Sequence, residues 1–71
     1  MRAMGKYAVY VTDKSRISSA IADIESVGGK VLYVSDLTGL VVAELPENVI
    51  HYLMMKPYIR LIEKSYPFGP T

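Results

Sequence analysis

The sequence predicts a single α+β domain whose four strands and two helices follow one another as β-α-β-β-α-β. Three observations carry that expectation: four short runs rich in Val, Ile and Tyr, two intervening stretches with apolar residues every three or four positions, and Gly or Pro near the junctions. β-Branched and aromatic side chains suit a pleated, half-buried surface, a 3.6-residue period builds one helical stripe, and Gly and Pro interrupt both.

The first strand is Lys6–Thr12, ending at Asp13-Lys14. Ile17, Ala20, Ile21, Ile24 and Val27 then fall on one helical face. Asp13 or Ser15 can cap the start of that helix by accepting from free backbone N–H groups, and Gly28-Gly29 ends it because glycine tolerates a positive φ. Lys30–Ser35 and Leu40–Leu45 read as strands, joined through Asp36-Leu37-Thr38-Gly39 as a hairpin. Pro46-Glu47 suits a helix start, since proline needs no N–H partner there and a carboxylate meets the positive end of the dipole. Val49, Ile50, Leu53 and Met54 are the expected buried face of this second helix, which Lys56-Pro57 terminates. Tyr58–Lys64 is the last strand, and residues 65–71 form an extended tail within the one domain spanning 1–71. This order matches the ferredoxin-like arrangement, a four-stranded antiparallel sheet with two helices on one face.

Composition narrows the function. Apolar residues make up 51% of the 71, enough for a packed core and too many for a disordered segment. Eight basic and seven acidic residues leave a net charge of +1, without the cationic excess that phosphate-backbone binding needs. Nucleic acid is therefore not an expected partner. No apolar run reaches the length of a signal-peptide core or a membrane span, so a soluble chain with no membrane partner is expected, cytoplasmic if it is complete. With no cysteine there is neither a disulfide framework nor thiolate chemistry, and the redox compartment stays undetermined.

Catalytic chemistry is not evident. His51 is the single histidine and no Asp/Glu cluster at ligand spacing accompanies it, so neither a metal nor another cofactor is expected. No serine sits in a nucleophile-elbow sequence or has a histidine near it in the chain. Gly28-Gly29 ends a helix instead of opening one, which does not suit a phosphate cradle. Six tyrosines invite base stacking, yet the third strand, which would lie centrally, holds no aromatic residue. The expectation is a binding protein, not an enzyme.

Strand parity indicates where binding would occur. If Glu44 points to solvent, Val41, Ala43 and Leu45 meet the helices, while Leu40 and Val42 lie on the face that no helix covers. The same alternation directs Tyr7, Val9 and Val11 inward and Ala8, Tyr10 and Thr12 outward, and it sets Ile62 outward between Arg60 and Lys64. An open face with an apolar patch ringed by charge is expected. Such a patch commonly marks an interaction surface, although scattered outward apolar residues are also ordinary.

In this order and spacing several segments resemble the propeptide domain of subtilisin-like serine proteases and its free-standing inhibitor relatives: Tyr7–Val11, Gly28-Gly29-Lys30-Val31, Leu37-Thr38-Gly39-Leu40, Ala43–Pro46 and Pro57–Glu63. The resemblance covers nearly the whole chain. It implies an inhibitor or intramolecular chaperone whose open face, with Tyr10, Leu40, Val42 and Ile62, packs on a subtilisin-like serine protease. It also implies that Glu63 meets protease helix N-termini and that Phe68, Gly69, Pro70 and Thr71 enter the substrate cleft as a product-like strand, Thr71 in the primary pocket and Phe68 fourth from the end. Pro67, Gly69 and Pro70 disfavour a helix in this tail, which leaves an extended docking segment or a frayed terminus. Two departures stand out. No protease domain follows, so a complete chain would act in trans, and Thr71 is a modest, β-branched occupant for the pocket. The alternative is a regulatory or assembly module that homodimerises through the same open face.

Overall fold

In the computed structural model, which describes residues 3–65, the expected order holds. Strand β1 spans Met4–Val11, and a 3-10 turn at Lys14–Arg16 leads into helix α1, Ile17–Ser26. Strands β2, Lys30–Ser35, and β3, Leu40–Pro46, follow. A second 3-10 turn, Glu47–Val49, precedes the short helix α2, Ile50–Met54, and strand β4 is Ile59–Lys64. The strands form one antiparallel sheet in the order β2-β3-β1-β4, an α+β, ferredoxin-like arrangement.

Alternation explains the core. Tyr7, Val9 and Val11 from β1 and Val41, Ala43 and Leu45 from β3 are buried on the helix side, as their parity requires. They meet Ile17, Ala20 and Ile24 from α1 and Leu53 from α2. Each fully buried Val, Leu or Ile side chain among them contributes on the order of 1.5–3 kcal/mol, and strands and helices both supply such residues: Val9, Val41 and Leu45 on one side, Ile24 and Leu53 on the other.

The helix ends have local causes. Asp13 accepts a hydrogen bond from the Ser15 N–H at 3.0 Å, which caps the turn into α1. At the other end Gly28 adopts φ 89° and donates to the Glu25 carbonyl, while the Gly29 N–H donates to the Ile24 carbonyl at 2.9 Å. That pair is a Schellman motif, satisfying carbonyls the helix leaves free. Gly29 is needed for space: a Cβ there would lie 2.7 Å from both Ile24 Cγ2 and Leu45 Cδ2. At the hairpin tip, Gly39 has φ 71°, donates to the Ser35 carbonyl and accepts from the Val11 N–H at 2.8 Å, tying the tip to the end of β1.

Two expectations need correction. Met54 does not join the buried face of α2; it is exposed, as is Met55, because the helix proper lasts only five residues, of which Leu53 is buried and Ile50 packs partly buried against the core. Ile62 does not point outward. Its partner in β1 is Val9, which is wholly buried, and Ile62 packs against the core. The reason is a register shift: Leu61 opposes Tyr10 but Ile59 opposes Val11, so Arg60 is an extra residue and parity resets across it. A second shift occurs in β2, where Val31 opposes Ala43 and Tyr33 opposes Val42, leaving Leu32 as the extra residue.

Candidate functional site

The face of the sheet turned away from the helices follows from the pairing register, since residues opposed across antiparallel strands point to one side. It forms three rows. The first is charged, with Lys6, Glu44 and Lys30 side by side on β1, β3 and β2. The middle row runs Glu63, Ala8, Val42 and Tyr33 from β4 to β2. In the last row Leu61, Tyr10, Leu40 and Ser35 stand in line.

The two bulges enrich this face. An inserted residue leaves two side chains opposing one, so Arg60 joins Leu61 over Tyr10, and Leu32 joins Tyr33 beside Val42. The Arg60 guanidinium lies 5.6 Å from the Tyr10 ring centroid, a cation–π contact that holds the charged group over an aromatic surface. Leu32 and Tyr33 are 43% and 57% exposed, while Tyr10, Leu40, Val42 and Leu61 are half-buried by their neighbours. An apolar diagonal thus crosses the sheet, flanked by the charged row at one end and by Glu63 and Arg60 at the β4 edge.

Of the expected docking residues, Tyr10, Leu40 and Val42 lie together on the open face, and Glu63 stands exposed at its edge opposite Ala8. Ile62 is withdrawn from the set, and Leu61 takes the outward position in its stead. Phe68, Gly69, Pro70 and Thr71 lie outside the described residues. Leu32, Tyr33 and Leu61 were not singled out by alternation. A signal existed for Leu61: only a bulge lets Ile59 and Ile62 both face the core while Arg60 and Glu63 both reach solvent.

Elsewhere the described residues offer little chemistry. An open cleft of about 190 Å³ is lined by Thr12, Asp13, Arg16, Pro57 and Tyr58. Its charged groups are already engaged: Arg16 stacks 4.6 Å from the Tyr58 ring centroid. Hydrogen bonding to Ser15, above all from its backbone N–H, holds the Asp13 carboxyl below its ordinary pKa. Across the molecule, a side-chain hydrogen bond with Tyr52 raises Lys56 above its ordinary value. His51 is exposed on α2, and no group of three metal-ligating side chains occurs among the described residues. No described helix is long and apolar enough to cross a membrane. Compared with known proteins, the chain matches no family model and no curated protein at a significant level.

Proposed function

We propose that this chain is a protein-binding domain that docks through its open sheet face, and that its partner is a subtilisin-like serine protease, which it inhibits or helps to fold. The observation that carries the docking is the apolar diagonal from Leu61 and Tyr10 through Leu40 and Val42 to Leu32 and Tyr33. Antiparallel sheets with one solvated face ordinarily alternate apolar and polar residues, whereas the open side of this sheet carries an apolar diagonal beside its charged row. A contiguous patch of that kind is stabilised by a covering surface. The choice of a protease rests on the sequence resemblance, in which the tail Phe68–Thr71 supplies the cleft-binding strand by main-chain pairing.

Titrating the whole chain and a version lacking Phe68–Thr71 against a subtilisin tests both parts. Inhibition by the whole chain and its loss on truncation are the expected results. Equal inhibition by the two versions removes the role of the tail, and no inhibition by either at micromolar concentration removes the inhibitor function.

A further inference from the structure

The charged row and the apolar diagonal have a symmetry that the pairing register exposes. Lys6 and Glu44 are direct partners on the two central strands, one step from Ala8 and Val42 and two from Tyr10 and Leu40. Lys30 flanks Glu44 on its other side, so the row reads plus, minus, plus. Among the described residues none of these three forms an ion pair; the pair observed is Lys64 with Glu47, on the helix side.

Consider two copies laid open face to open face. A two-fold axis running along the strands, midway between β1 and β3, places β1 of one copy over β3 of its partner and keeps each row over itself. Lys6 then meets the partner subunit's Glu44, and Glu44 meets the partner subunit's Lys6. By the same operation Ala8 covers a valine and Tyr10 a leucine, apolar on apolar. An axis perpendicular to the strands instead sets Lys6 over a tyrosine and Glu44 over a leucine, which desolvates charge without compensation. The first arrangement satisfies both patterns on the two central strands, and it leaves Glu63, at the exposed β4 edge, over the partner subunit's Tyr33.

From this self-complementarity we propose that a second copy of the chain covers the open face, in a two-fold dimer whose axis follows the strands. Four strands about 4.8 Å apart and some six residues long give a footprint on the order of 400 Å². That is about half of the ~800 Å² per partner typical of stable complexes, so the pairing is weak and reversible. Where the chain is concentrated enough to pair, its docking face is covered, and dissociation exposes it. This regulatory consequence, though not the dimer itself, rests on the docking function proposed above.

Sedimentation of the whole chain from about 5 to about 500 µM, a range suited to a weak interface, is expected to show a monomer–dimer equilibrium. Lys6→Glu and Glu44→Lys each create two like-charge contacts across the axis, and each is expected to weaken the dimer about tenfold. Mixing the two variants is the decisive step. In the mixed pair every central contact again joins opposite charges, so association returns to the wild-type level, a recovery that damage within either monomer cannot produce. A wild-type chain that stays monomeric throughout overturns the proposal, and so does a mixture that associates no better than its components. The protease titration is scored separately: a dimer without inhibition leaves this inference standing and removes the docking partner, and inhibition without a dimer does the reverse.

Discussion

Gly28 and Gly29 are adjacent, and different forces select them. Gly28 carries the positive φ that closes the Schellman motif. Gly29 instead lets the backbone pass against Ile24 and Leu45, both fully buried. Gly29→Ala therefore forces a methyl group into a filled core and is expected to cost about 1–3 kcal/mol, measured as a shift in the denaturant midpoint at unchanged slope. Asp13 acts through charge. Its pKa is lower in the folded state than in the unfolded chain, so its contribution is fully present above the ordinary carboxylate range and is lost as pH falls through the lowered value. Asp13→Ala should accordingly melt below the wild type at pH 7, with the gap closing as the solution is acidified towards pH 2; a gap that does not change with pH removes the charge from the explanation.

The strands show what one-residue insertions do to a pattern. In β4 the extra Arg60 lets Ile59 and Ile62 share the core side three positions apart, which simple alternation forbids. Replacing Ile62 by Asp is expected to destabilise the fold by roughly 3 kcal/mol or more, because a carboxylate would then sit against the core beside Val9. Leu61→Asp, one residue earlier and on the open face, should cost under about 1 kcal/mol. Thermal unfolding of the two variants checks the assignment, and comparable losses would contradict the bulge. Element order, the inward rows of β1 and β3 and the apolar open face were legible in the sequence because they follow from period and parity. The bulges were harder to read, since a single extra residue changes no propensity; β4 carried a trace of its bulge in the three-residue spacing of Ile59 and Ile62, whereas that in β2 shows itself only against the partner strand. The extent of α2 was equally hidden: Met54 continues the helical spacing of Val49, Ile50 and Leu53, but the helix ends before a second turn can bury it.

At the scale of the molecule, the two layers are unequally finished. The helix layer covers one side of the sheet, and on the other a row of charges borders side chains of the kind that build interiors. A net charge of +1 gives the whole chain little long-range field, so electrostatic steering is not what brings a partner to this face. For the docking proposed here, affinity would come from removing apolar surface from water, with the charges fixing orientation. Binding of any protein partner to the open face is then expected to carry a negative heat-capacity change, and its association rate should change only a few-fold between low salt and about 0.5 M. Calorimetry at several temperatures and stopped-flow kinetics at several ionic strengths measure the two quantities. Val42→Asp sharpens the test, since it charges the middle of the diagonal without touching the core: the variant should keep its fold and lose the heat-capacity signal together with binding. A partner held through the helix layer would bind Val42→Asp as well as it binds the wild type, and the open face would then have no part in recognition.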